Sequence, residues 1–293
     1  MPLPNEKMAD SRLEDEWFDI IQKARLGLGR SVADVARAAR VSFESLEHWE
    51  SGEGSSQPSQ LAVLAEVLGL EAGRLLAIQQ GGGLPARQPR EGTGPIRYVM
   101  LTGQMRGYPV HAYLLFREGS PDAVLVDTGY EPVQALEAVM QRRLMLRWLV
   151  LTHCHRDHME GAAFLKAQTG ARVAVPEAEW ATYRAHQHEN PDLPVSASSR
   201  IEVSPELSLR ALPTPGHTTG GTSYLADGLC CVGDALFAGS TGRSMSPAGY
   251  STLLSSLRRH VLSLPPETLL LPGHGPITTA GEERAHNPFF PSM

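Results

Sequence analysis

Apolar positions follow one rule before about residue 80 of this chain and another after it. In the first part they recur at helical spacing. Trp17, Ile21, Ala24 and Leu28 form one stripe, which Gly27 and Gly29 stop. Ser31 with Asp34 marks a helix start, and Val32, Val35, Ala36 and Ala39 give a second helix its apolar face. Val41 falls in a turn, Ser42 caps a third helix carrying Leu46 and Trp49, and Gly52 and Gly54 break it. Pro58 opens a fourth with Leu61, Leu64, Ala65 and Leu68, closed by Gly69, and a fifth runs from about Glu71. Residues from about Ser11 to Ile78 thus read as all helical. Gly81-Gly82-Gly83-Leu84-Pro85 through Gly94-Pro95 has no apolar periodicity and reads as a linker.

From Ile96 the apolar residues come in short runs divided by turns. Arg97–Leu101, Tyr113–Phe116, Ala123–Val126, Leu146–Leu151, Arg172–Val175, Leu207–Leu212, Tyr224–Ala226, Leu229–Val232 and Thr268–Leu271 are predicted strands. Pro132–Leu144, Ala162–Thr169 and a stretch near Leu253–Leu264 are predicted helices. Strands and helices interleaved over about 200 residues predict a layered α/β architecture. The expected organisation is an all-helical domain over 1–80, a linker over 81–95 and an α/β domain over 96–293.

The chemistry concentrates in Thr152-His153-Cys154-His155-Arg156-Asp157-His158, directly after an apolar run that reads as a buried strand. Three imidazoles and a carboxylate within six residues are a metal-binding density. In extended backbone His153 and His155 point the same way, while Asp157 and His158 follow on the turn and can face a second point. One strand end therefore offers ligands to two neighbouring ions. Cys154, the alternating neighbour, should point away and serve as packing. Three later pieces have the same form: His217 after Pro215-Gly216, Asp234 after Cys231-Val232-Gly233, and His274 after Leu271-Pro272-Gly273. Each follows a strand or a sharp turn, so all can converge on one edge of a sheet.

Composition narrows the class. A hydrophobic content of 42%, charged content of 20% and net charge of −6 fit a globular protein and argue against polyanion binding by the chain overall. No run approaches the ~20 apolar residues of a membrane helix, and no basic-then-apolar leader opens the chain. Three cysteines, two of them adjacent (Cys230 and Cys231), make no disulfide framework, so a cytoplasmic location is expected.

Two resemblances follow from these residues. His153, His155, Asp157 and His158, with His217, Asp234 and His274 downstream, resemble the metallo-β-lactamase superfamily over about residues 96–293. The resemblance implies an αββα sandwich holding two divalent metals. It places His153, His155 and His217 on one ion and Asp157, His158 and His274 on the other. Asp234 bridges them, and Asp127 acts as structural support. Asp157 and Asp234 are the candidate catalytic carboxylates. Imidazole and carboxylate donors suit zinc, with iron or manganese as alternatives. Gly233–Phe237, Gly242-Arg243, Pro272–Pro276 and the tail Glu283-Arg284, Asn287–Phe289 resemble the glyoxalase II-like thioesterases, which implies attack on a thioester or related ester by a hydroxide bridging the metals. Only 19 residues follow His274, so the C-terminal helical domain that helps larger glyoxalase II enzymes hold glutathione is not expected, and the compact bacterial subgroup is the better match. Arg243 and Tyr250 are the candidate substrate-binding residues, with a structural salt bridge the other reading for Arg243 and core or surface packing for Tyr250, and Trp180–Asn190, with His186 and His188, is a candidate lid or solvated helix.

The helical part resembles the Cro/cI-like helix-turn-helix family, in which the helix from Ser42 to about Glu50 would enter the major groove. Residues 1–80 hold 8 Lys and Arg against 13 Asp and Glu, a net of −5, and the would-be reading helix carries Glu44, Glu47 and Glu50 without a cation. Because DNA affinity rests on neutralising phosphates, this acidity disfavours DNA, although Arg25, Arg30, Arg37 and Arg40 offer a basic edge. Protein contact or homodimer formation is the competing role for this module. Two further readings stand beside the thioesterase: a mononuclear iron persulfide dioxygenase using His153, His217 and Asp234, and a DNA-binding regulator that senses a small molecule through the metal site.

Overall fold

The computed structural model describes residues 12–83, 85–86, 91–92 and 94–291. Expectations that fall on Met1–Glu6, Ser11, Leu84, residues 87–90 and Thr93 lie outside the described residues. Five helices come first: α1 (Trp17–Gly27), α2 (Val32–Ala39), α3 (Phe43–Glu50), α4 (Pro58–Leu68) and α5 (Ala72–Gln79). Three of their caps are those the sequence marks. The hydroxyls of Ser31 and Ser42 accept from the backbone N–H of Asp34 and Ser45, and Gly69 closes α4 in the left-handed conformation.

The remainder begins with β1 (Ile96–Met105), β2 (Tyr108–Arg117), β3 (Asp122–Val126), α6 (Pro132–Gln141), β4 (Met145–Val150), α7 (Arg156–Met159), α8 (Ala162–Thr169), β5 (Arg172–Pro176), α9 (Trp180–Gln187) and β6 (Leu193–Val195). The strands form one six-stranded sheet in sequence order, parallel from β3 to β6. Next come β7 (Arg200–Ser204), β8 (Leu207–Pro213), β9 (Thr222–Ala226), β10 (Leu229–Gly233), a hairpin of β11 (Leu236–Phe237) and β12 (Ser240–Thr241), α10 (Pro247–His260), β13 (Leu269–Pro272), β14 (Thr278–Thr279) and α11 (Ala280–His286). The second sheet runs β14-β13-β10-β9-β8-β7. The short strands β6, β7, β11, β12 and β14 and the helices α7 and α11 have no clear signal in the apolar pattern.

Three apolar layers make a four-layer stack. Between the sheets lie Tyr98, Val124, Val150, Leu209, Tyr224 and Leu271. Outside the first sheet, Ala138 of α6, Leu165 of α8 and Tyr183 of α9 form a second core. Outside the second sheet, Leu253 and Leu257 of α10 join Phe289 and Phe290 in a third. That third core continues without a break into Trp17, Ile20, Ile21 and Ala24 of α1. The helical module is thus packed on the sandwich, with the Tyr250 ring where a side chain on Gly27 would go.

The tail is held by a fully buried acid. Glu283 accepts from Gly239 N at 3.1 Å, from Thr278 Oγ1 at 2.8 Å and from Asn287 Nδ2 at 2.8 Å. Burial outweighs these donors and raises its pKa to about 7 from 4.5. Between those values the folded protein holds a proton that the unfolded chain has lost, so stability falls as pH rises through the window, by about 3 kcal/mol for this group. Thermal melts of metal-loaded Glu283→Gln are expected to show a clearly shallower loss between pH 5 and 7 than the parent. The slope is the readout, because an amide in this position would face the Asn287 donor.

Candidate metal centre

Strand direction puts the candidate ligands on one edge. β8 and β10 both run antiparallel to β9, and β10 runs parallel to β13, so the C-terminal ends of β8, β10 and β13 share an edge. His217, Asp234 and His274 follow those ends. In the other sheet Asp127 and the cluster from His153 to His158 follow the parallel strands β3 and β4. Both sheets thus contribute loops to one cleft. His155 is the N-cap of α7, which turns Asp157 and His158 away from His153 and His155.

Seven side chains meet in two adjoining groups able to hold metal ions: His153, His155, His217 and Asp234, then Asp157, His158 and His274. In the first, His155 Nδ1 lies 3.1 Å from His153 Nε2 and 3.0 Å from His217 Nε2. In the second, His274 Nε2 lies 3.5 Å from Asp157 Oδ2. Asp234 touches both: Oδ1 is 3.2 Å from His158 Nε2, and Oδ2 is 3.5 Å from His274 Nε2 and 3.6 Å from His217 Nε2.

The surroundings orient the rings. His158 Nδ1 faces Asp127 Oδ2 at 2.9 Å, and Asp127 also accepts from Thr152 N and Oγ1. Asp127 does this in the left-handed region, at φ 58°. The Nδ1 atoms of His217 and His274 face the carbonyls of Arg243 at 2.8 Å and Pro109 at 2.6 Å. Each such partner leaves Nε2 turned toward the centre, as in metal sites whose ligands are held from behind. His111, which sequence reasoning passed over, works on the backbone instead. Its N–H donates to Gly273 O at 2.8 Å and its Nε2 meets Gly275 O at 3.1 Å, bracketing His274. A lone His on an alternating strand carries no signal of that.

The electrostatics of the two groups differ. Desolvation holds His153 far below the ordinary histidine value and lowers His217 as well. Burial also opposes the cations of His158 and His274, but Asp234, helped by Asp127 and Asp157 respectively, outweighs it and lifts them to about 10 and about 11. Asp234, despite burial, is held well below the carboxylate range by His274 and His158. The donor set fits divalent cations. His158 Nε2 and Asp234 Oδ1 are buried without a hydrogen-bond partner, and the three imidazole nitrogens of the first group crowd lone pairs that only a proton or a cation reconciles.

The family model of the metallo-beta-lactamase superfamily matches residues 105–274. This chain belongs to that superfamily. A helix-turn-helix family model matches residues 21–75 of the same superfamily member. The hydroxyacylglutathione hydrolase GloC of Haemophilus influenzae is 30% identical over 200 residues, covering 61% of this chain and 92% of that protein. A hydroxyacylglutathione hydrolase of Acidiphilium cryptum is 35% identical over 167 residues, covering 56% of this chain and 63% of its own greater length. Among solved structures, ETHE1 from Myxococcus xanthus superposes with a TM-score of 0.55 at 31% identity, over 65% of this chain and 83% of that one. TTHA1623, crystallised in a di-iron-bound form, gives 0.55 at 30% identity, over 65% and 100%. The superfamily implies divalent metal binding, and the two groups above are where this member could hold it.

The other sequence-predicted residues divide. Cys154 is buried, its thiol pushed up mainly by desolvation, and stands outside both groups. His186 and His188 lie on or just past α9, which the buried Tyr183 anchors to the first sheet, and neither joins a metal-binding group. Arg243 is exposed, with Nη2 donating to Gln22 Oε1 at 3.0 Å. Tyr250 is a correction: rather than lining the pocket, its ring is 7% exposed and fills the seam between Gly27 and Phe289. Arg25 and Glu50 also leave the postulated DNA surface, because they form a buried bidentate pair at 2.6 Å. No described helix is long and apolar enough to cross a membrane.

Proposed function

We propose that the chain is a dinuclear hydrolase of small thioesters or related esters, with 1–80 as a helical module and 96–293 as the catalytic sandwich. The observation that carries this is Asp234 standing between two complete donor groups. His153, His155 and His217 would hold one ion, Asp157, His158 and His274 the other, and Asp234 both. Zinc suits these donors best, with iron or manganese as alternatives. Bound there, the pair would lower the pKa of a shared water from 15.7 towards ~7 and polarise a carbonyl. The chain's own part is positional. Asp127 and the carbonyls of Pro109 and Arg243 fix ring orientation, and the glycines at 242 and 273 let Asp234 and its neighbours approach closely. No cysteine serves as a nucleophile, since the Cys154, Cys230 and Cys231 thiols are all buried and pushed up by desolvation.

The hydroxyacylglutathione hydrolases among the relatives support a thioester substrate. The mononuclear iron dioxygenase reading uses His153, His217 and Asp234 alone and leaves the group of Asp157, His158 and His274 without a task. DNA binding draws little support from α3, whose exposed face carries Glu44 and Glu47. A panel of thioester, lactone and phosphodiester substrates, run on protein with quantified metal, tests the proposal. Two ions per chain and turnover on a thioester are expected. One iron per chain with oxygen uptake on a persulfide would replace it.

A further inference from the structure

The helical module reaches the edge of the metal centre through the residues leading into α1. A Cβ on Gly275, the residue after His274, would lie 3.1 Å from Glu14 Cβ and 3.2 Å from Glu14 N. Two further ties hold the stretch in place. Lys23 of α1 pairs with Asp15, donates to Thr241 O at 2.9 Å and sits 4.9 Å over the Phe237 ring, which itself lies 5.8 Å from the His274 ring. Gln22 receives Arg243. The loops after Asp234 and around His274 are thus clamped by the module. The neighbouring acids are engaged, Asp15 with Lys23 and Asp19 with the N–H of Glu16. Glu14 is half-buried and has no hydrogen-bond or ion-pair partner among the described residues. Burial pushes its pKa to about 7, and His274, Asp15, Lys23 and Asp234 are the charges that act on it.

We propose that Glu14 is a specificity-determining residue: it walls the substrate pocket beside His274 and favours leaving groups bearing a cation or hydrogen-bond donor over those bearing a carboxylate. This rests on the hydrolase reading above. It makes the helical module part of the active site and turns the chain away from strongly anionic thiol carriers.

The test uses the whole 293-residue chain, metal-loaded, at pH 8, where the Glu14 carboxyl is ionised. Calorimetry compares cysteamine with 3-mercaptopropionate, thiols of equal reach and opposite charge. Cysteamine is expected to bind about fivefold tighter. The preference should vanish in Glu14→Gln and reverse in Glu14→Lys, with metal content unchanged in both. Equal binding by the parent, a ratio that neither variant moves, or no measurable binding of either thiol overturns the proposal. If the thiol preference holds while every thioester resists hydrolysis, the reaction assignment fails and the role of Glu14 stands.

Discussion

Asp234→Ala is expected to abolish turnover, by about a thousandfold or more, and to strip the protein of at least one metal ion. The carboxylate lies within 3.6 Å of imidazole nitrogens in both halves of the centre, so its loss affects both. Without it His217 loses its carboxylate neighbour, while His158 keeps Asp127 and His274 keeps Asp157. Metal per chain, measured by plasma mass spectrometry after dialysis, should fall together with activity. His217→Ala should behave alike for the first group. Full activity in either variant would refute the dinuclear assignment.

A methyl group at Gly273 should be nearly as damaging, through geometry alone. The Cβ of Gly273→Ala would land 2.3 Å from Asp234 Oδ1 and 2.6 Å from His158 Cε1, distances that no real Cβ tolerates. Both neighbours are buried and held, His158 by Asp127, so the strain falls on the centre itself. A displacement of about 1 Å in a catalytic group costs on the order of a hundredfold in rate. Activity is expected to fall by that much while circular dichroism shows the fold retained. Gly73→Ala is the control. A Cβ there meets only the Glu71 side chain at 3.4 Å, and alanine is the better helix former, so activity should hold and stability rise by up to about 1 kcal/mol.

Much of this was legible in one dimension because the signals are local. Five helices and several of their boundaries follow from apolar spacing and from Ser31, Ser42, Pro58 and Gly69, each acting within four residues of itself. The seven side chains that meet in the cleft are marked by residue type directly after strands or sharp turns. Between the pocket and the core as places for Tyr250, a local signal favours the core: with Leu253, Leu257 and Val261 it continues the apolar stripe of α10. Elements such as β11, β12 and β14 were missed because two residues are too few to show a period.

By itself the sequence determined the kind of chemistry this chain can do: five imidazoles and two carboxylates in a pattern resembling one superfamily. Tertiary structure alone decided where those groups stand and what shares the cleft with them. Their convergence depends on β8, β10 and β13 running the same way, which no local pattern records. The place of Glu14 depends on Trp17, Ile20 and Ile21 burying themselves against α10 and Phe289. That docking comes from non-directional apolar contact between residues more than two hundred positions apart, so the sequence shows the sticky faces and only the fold shows which ones meet.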